Sequence, residues 1–207
     1  MKQLFLCSYF AGVKKLFSDY AKEKNLEKKV VFIPTAGNKE DYTAYIDEAQ
    51  QTFRDLGFEI EVLDIASCDR ETAQAKIFQS KILYISGGNT FYLLQELKKK
   101  QLLSLIKEQI RDGLVYVGES AGAIITAKDI DYNKLMDDKT VATELSDTAG
   151  LDEVEFYILP HYGEEPFTDS SQKTFEMYKN QLSLMLINNS QAVIVNGEES
   201  EVVSEQT

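Results

Sequence analysis

Histidine is nearly absent from this chain: among 207 residues only position 161 carries it. Any reaction that needs an imidazole base must use His161. Cysteine is almost as scarce. Cys7 and Cys68 are too few for a disulfide framework or a thiolate metal site. Cys7 closes an apolar run and reads as a small buried hydrophobe rather than a reactive thiol. Positive charge is also short, with 22 basic against 34 acidic residues and a net charge of -12. Such a surface repels phosphate backbones and anionic lipid, which argues against nucleic acid or a membrane surface as partner. No apolar run approaches the ~20 residues needed to span a bilayer. The opening MKQLFLCSYF lacks the apolar core and cleavage site of a secretory signal, so a cytoplasmic protein is expected.

What is present is an ordinary globular composition, 43% hydrophobic and 27% charged. The length suits one domain over 1–207 with a core large enough to need neither disulfide nor metal. Strand-like and helix-like segments alternate over the first 120 residues. QLFLC, KVVFIP, ILYIS and LVYVG are short runs apolar on both faces, the mark of buried parallel strands. Between them, 13–21 has helical spacing. So does a stripe of Tyr42, Tyr45, Ile46, Ala49, Phe53 and Leu56, with Asn38 placed to cap it and Gly57 to end it. Residues 58–63 alternate as a strand, 71–78 form a weaker helix, and Leu102, Leu103, Ile106 and Ile110 mark another, stopped by Gly113. This alternation predicts an α/β fold: a three-layer, doubly wound, mostly parallel sheet of the flavodoxin-like kind. Past Ser120 the pattern loosens. The stretch 129–151 reads as a long polar loop, FYILP as a strand, 168–187 as a helix, and QAVIV with 201–204 as a hairpin turning at Asn196-Gly197.

Val117-Gly118-Glu119-Ser120-Ala121-Gly122-Ala123 matches G-x-S-x-G between a strand and a helix-compatible stretch, 121–127. That is the setting of a nucleophile elbow, where a tight turn requires small neighbours and projects the serine at the carboxyl end of the sheet. The plainer alternative is a glycine turn that only lets strand and helix pack closely. A serine hydroxyl needs a base, and His161, in ILPHY just past a predicted strand, is the ordinary candidate. A second turn, Ser86-Gly87-Gly88-Asn89-Thr90-Phe91, follows another buried strand. It lacks the glycine spacing or Lys-Ser/Thr ending of a nucleotide loop, so an oxyanion hole formed by Gly88 and Ala121 N–H groups is preferred over phosphate binding.

GGNTFYLL, GESAGA and LPHY, in this order and at these separations, resemble the aspartyl dipeptidase family of serine peptidases, peptidase S51, which includes cyanophycinase-like enzymes. The likeness runs from the first strand to about Val195. It implies a fold related to class I glutamine amidotransferases, with Ser120 where those enzymes carry a cysteine. It further implies an exopeptidase acting on short peptides without metal or cofactor, with Ser120 as nucleophile, His161 as base, and the Gly88 and Ala121 amides as oxyanion donors.

Two features depart from the family's pattern. The acid that orients the histidine lies, in the family, either in the loop after the serine or after a late strand. In register these positions fall at Leu135, near Asp131, Asp137 and Asp138, and at Asn196, near Glu198. Glu198 is the first choice, with Asp131, Asp137 and Asn196 left open. A preference for N-terminal Asp calls for a cation, best a bidentate arginine. Yet Arg54, Arg70 and Arg111 all lie on or beside predicted outer helices, and the loop offers only Lys128, Lys134 and Lys139. Tyr132, Tyr157 and Tyr162 are candidates to line a more permissive pocket. The long loop is placed to roof the site and exclude folded proteins. An esterase or amidase on small acyl substrates, or a non-catalytic binding protein that keeps the elbow, remain alternatives.

Overall fold

The computed structural model describes residues 1–205, so the last two residues of the expected 1–207 domain lie outside the described residues. Seven strands form the central sheet: β1 (Gln3–Cys7), β2 (Lys29–Ile33), β3 (Glu59–Val62), β4 (Ile82–Ile85), β5 (Val115–Glu119), β8 (Gln191–Asn196) and β9 (Glu199–Ser204). Their order is β3-β2-β4-β5-β1-β8-β9. The first five are parallel, and β8 and β9 run antiparallel along one side.

Strand alternation sends Leu4, Leu6, Val31, Ile33, Leu83, Ile85 and Tyr116 to one face. Phe5, Cys7, Val30, Phe32, Ile82, Tyr84 and Val117 go to the other. Helices cover both faces, so the expected α/β layering is present. On the second face α1 (Lys14–Glu23) and α2 (Ala44–Asp55) bring Phe17, Tyr20, Ala49 and Phe53. The rings there interlock: Phe10 stacks on Phe53 at 4.5 Å and Phe32 on Tyr84 at 4.5 Å, geometries that add to plain burial. The first face is mainly aliphatic. It is covered by α3 (Arg70–Gln79), α4 (Thr90–Lys99), α5 (Leu103–Arg111) and the single turn α6 (Ala121–Ile124). Gly57 and Gly113, at φ +78° and +103°, follow α2 and α5 as expected.

Several expectations change. Asn38 caps no helix. It lies in a 3-10 turn, Thr35–Lys39, and its Nδ2 donates to the Asp64 carboxylate at 3.1 Å. Thr35 Oγ1 donates to that carboxylate too, so Asp64 ties the loop after β2 to the loop after β3. Because α2 starts only at Ala44, Tyr42 falls outside the apolar stripe and is 68% exposed. The helix expected over 168–187 stops early: α7 is Thr168–Tyr178, and Leu184–Leu186 is a strand, β7. That strand pairs in parallel with β6 (Tyr157–Leu159), so FYILP belongs to a separate two-stranded sheet. A three-residue strand is too short to announce itself by alternation. The 129–151 stretch folds as two 3-10 turns (Asp131–Leu135 and Lys139–Val141) with a lone bridge between Asp129 and Ala149.

Candidate active site

The carboxyl ends of β1, β2, β4 and β5 lie side by side, and the loops leaving them surround a cleft of about 670 Å³. Crevices at that end of a parallel sheet, where strand order reverses, are where ligands sit in such folds. Ser120 follows β5 directly with φ +45° and ψ −104°, a conformation costing a non-glycine residue about 1–3 kcal/mol. It is imposed from both sides. Ser120 N donates to Cys7 O at 2.8 Å, and Ala123 N and Ile124 N both donate to Ser120 O at 2.9 Å. The glycines on either side are required by space. A Cβ on Gly118 would meet Gly122 O at 2.5 Å, and one on Gly122 would meet Ile85 O at 2.2 Å. Both obstacles are main chain and cannot turn away. The helix after the serine is a single turn rather than the 121–127 stretch, so it adds individual N–H donors rather than a long dipole.

His161 comes from a different part of the chain. It follows β6, adopts φ +55°, and its main-chain N donates to Ser8 Oγ at 3.1 Å. Ser8, just past β1, in turn donates to Ile187 O at 3.0 Å, fastening the end of β7 to the same point. The imidazole stacks on Phe167, ring centroids 4.6 Å apart. Its Nε2 lies 3.0 Å from Ser120 Oγ and its Nδ1 lies 2.8 Å from Asn189 Oδ1. Burial holds the His161 pKa below its usual value, and the Asn189 contact only partly offsets this.

The structure brings Ser120 and His161 together, and the group at Nδ1 is the Asn189 amide rather than any of the expected acids. Glu198 is exposed in the β8–β9 turn, far from the imidazole. The reason is strand direction. Strand β8 runs antiparallel to β1, with Gln3 opposite Asn196 and Cys7 opposite Ala192. Asn196 and Glu198 therefore lie at the amino end of the parallel strands, while Asn189, before β8 begins, reaches the site. Asp131 is bound to Lys134 and Lys139 at 2.7 and 3.0 Å. Asp138 caps its own turn through Thr140, Leu135 is 38% exposed, and Asp137 lies in the cleft wall with its Oδ2 accepting from Thr90 N at 2.7 Å.

The Gly87-Gly88 turn lies against the serine: a Cβ on Gly87 would be 3.3 Å from Ser120 Cβ. Gly88, at φ +124°, would drive a Cβ to 2.3 Å from the Ala36 carbonyl carbon, so only glycine fits. Among the described residues no protein group accepts from Gly88 N–H. Ala121, first in its helix, has no intrahelical acceptor. Tyr132, Tyr157 and Tyr162 do not line the cleft. The first two pack edge to face beside the core, and Tyr162 bonds Gln172; Tyr9, Tyr42 and Tyr45 line it instead.

Two residues escaped the sequence reading. Asn189 is one. Glu119 is the other, 1% exposed under the elbow, accepting from Phe10 N at 2.7 Å, from Tyr84 Oη, and from Gly87 N at 3.3 Å. One carboxylate thus pins the loops after β1 and β4 beneath the serine. Burial pushes its pKa up to about 7 against those three bonds. An acid closing a strand that is otherwise buried throughout was the signal that could have found it.

The model of peptidase family S51 matches residues 6–203. This chain belongs to peptidase family S51 and is a peptidase. It is 43% identical to an uncharacterized peptidase of Pasteurella multocida, over 96% of this chain and 95% of the relative. It is 30% identical to the peptidase E of a Nostoc species, over 78% of this chain and 66% of that one. The crystal structure of a Listeria monocytogenes protein assigned as a peptidase E superimposes with a TM-score of 0.94 at 39% identity, covering 100% of both chains. Among the described residues no helix is long and apolar enough to cross a membrane.

Proposed function

We propose that this peptidase is a serine exopeptidase hydrolysing short peptides through an acyl-enzyme, with Ser120 as nucleophile, His161 as base and Asn189 orienting the imidazole. The observation that carries this reading is the line from Asn189 Oδ1 through the His161 ring to Ser120 Oγ, with contacts of 2.8 and 3.0 Å. An amide oxygen only accepts, so Nδ1 bears the ring proton and Nε2 offers its lone pair to the hydroxyl. Ser120 Oγ attacks the peptide carbonyl while His161 takes its proton. The resulting oxyanion accepts from the Gly88 and Ala121 N–H groups. His161 returns the proton to the departing amine, and water releases the acyl group by the reverse sequence. A neutral Asn189 supplies orientation without a charge to stabilise the imidazolium. The ring thus stays neutral to lower pH, as a weaker base.

A walled cleft of about 670 Å³ suits a peptide of a few residues and excludes a folded chain, in keeping with relatives named peptidase E. The strand order β3-β2-β4-β5, with β1 beyond β5, supports reading the sheet as flavodoxin-like. We read residues 1–207 as one catalytic domain in a reducing setting such as the cytoplasm, where Cys7 and Cys68 stay unpaired.

Labelling with a fluorophosphonate, read by intact mass beside turnover of a di- and tripeptide panel, tests the reading. The wild type should gain one adduct that Ser120→Ala lacks, and should cleave small peptides but not casein. An unlabelled wild type with no peptide turnover would sink it.

A further inference from the structure

The cleft carries far more negative charge than its chemistry uses. Glu40, Asp41, Glu48, Asp137, Asp138 and Glu165 line it beside the buried Glu119, and among the described residues Lys39, over the Tyr92 ring at 5.0 Å, is the one lysine or arginine on its wall. Elsewhere this acidic protein pairs its carboxylates freely: Asp19, Asp55, Glu61, Asp131, Asp147 and Glu176 all face lysines. Among the described residues none of the six cleft carboxylates is in an ion pair. The arginines do not line it: Arg54 bonds Gln50, and Arg70 and Arg111 border other hollows.

Apart from Glu119, buried beneath the elbow, Asp137 is the acid of this wall most withdrawn from water. Burial pushes its pKa up to about 6, although Thr90 N donates to it. Asn133 gives the second, independent sign of a missing partner. It lines the cleft at 1% exposure, and its Nδ2 is engaged by Thr90 Oγ1 at 3.2 Å. Among the described residues its Oδ1 has no hydrogen-bond partner. A buried orphan acceptor costs about 1–3 kcal/mol, and here it neighbours an unpaired carboxylate. The carbonyl lacks a donor and the carboxylate lacks a cation, and one ammonium or guanidinium group supplies both. The pair sits beside the oxyanion turn: Asp137 bonds the main chain at Thr90, and Asn89 Nδ2 donates to Asp138 O at 2.9 Å.

We propose that Asp137 and the Asn133 carbonyl form the specificity subsite of this peptidase, and that they take a cationic group on the substrate's first residue, its α-ammonium or a basic side chain. The inference rests on the peptidase reading and deepens it. It reverses the charge preference expected from an aspartyl dipeptidase: a substrate Asp entering this cleft meets mostly like charge, with Lys39 drawn over Tyr92, whereas a lysine or arginine meets an acceptor and a carboxylate.

Steady-state kinetics on a dipeptide panel test it, with Lys, Arg, norleucine or Asp first, each with a free and an acetylated amino terminus. Lys- and Arg-first substrates should exceed norleucine at least tenfold in kcat/KM, mainly through KM, if the side chain is the cation read. Loss of that order on acetylation, with little dependence on the side chain, assigns the subsite to the α-ammonium. Raising salt from 50 to 500 mM should raise KM for the cationic substrates more than for the blocked neutral ones, a readout that needs no variant. Asp137→Asn, which keeps an acceptor for Thr90 N, should bring the cationic preference close to parity. Turnover with Asp first better than Lys first, rates that neither the side chain nor acetylation changes, or no response of a stably folded Asp137→Asn, would overturn the subsite and leave the Ser-His mechanism standing. Absence of any peptide turnover together with absence of fluorophosphonate labelling would remove both.

Discussion

The serine side and the histidine side of the cleft are built in different ways. Ser120 is held by one contiguous stretch, 117–123, whose glycines leave room for the Ile85 and Gly122 carbonyls and whose strain is met by bonds within three or four residues plus one to Cys7. His161 is held by pieces far apart in the chain: Ser8 under its main chain, Phe167 on its face and Asn189 at Nδ1, with Ile187 anchoring Ser8. A locally built element is legible as a motif and fails as a unit. A remotely assembled one shows in sequence only as an isolated residue, and its parts can be altered singly.

Changing the two sides separately sharpens the contrast. Ser120→Ala removes the proposed nucleophile, and kcat/KM for a small peptide should fall on the order of 10³-fold or more with the melting temperature kept. Activity within tenfold of wild type would end the assignment. Asn189→Ala leaves the imidazole free to turn, and a loss of roughly 10²-fold in kcat without a matching rise in KM is expected from misorientation alone. An unchanged kcat would show that Phe167 and the Ser8 contact suffice.

On the serine side the counterpart is a packing failure. Gly122→Ala puts a methyl into the Ile85 carbonyl, and about 3 kcal/mol of lost stability, or roughly 6–12 °C in Tm, should appear in a thermal melt. A normal Tm would mean the elbow can open without cost. The histidine side should instead respond through pH. Its burial places the His161 ionisation below the usual 6.5, and only the neutral ring accepts the serine proton. Wild-type kcat/KM should therefore climb through an ionisation below 6.5 and be level at neutral pH. Asn189→Asp sets a carboxylate against Nδ1, favours the imidazolium and should move that ionisation up by roughly 1 to 3 pH units. A profile that does not move would detach Asn189 from the ring. The smallest effect belongs to Glu198→Gln, at the far end of β8, where activity should stay within about twofold of wild type.

The strained turn at Ser120, the Gly87-Gly88 turn and the five parallel strands were readable because each rests on neighbours in sequence, and the histidine because it is the one residue of its type. Gly118 and Gly122 flank the serine, Gly88 stands where only glycine fits, and the buried strands are apolar on both faces. The short strand β7 and the start of α2 were misread because a three-residue strand has no period to detect and Asn38 had a better partner in Asp64. Glu119 was passed over although a charge in a buried strand was visible, since its three donors come from β4 and two separate loops.

The sequence alone determined the chemistry available: one serine in a tight glycine turn, one imidazole, a surplus of carboxylates and three arginines. Only the tertiary structure decided which groups meet. Strand direction is a property of the assembled sheet rather than of any residue. Because β8 runs against β1, the amide before that strand, not the glutamate after it, reaches His161, and Asp137 is left in the cleft wall with no cation beside it.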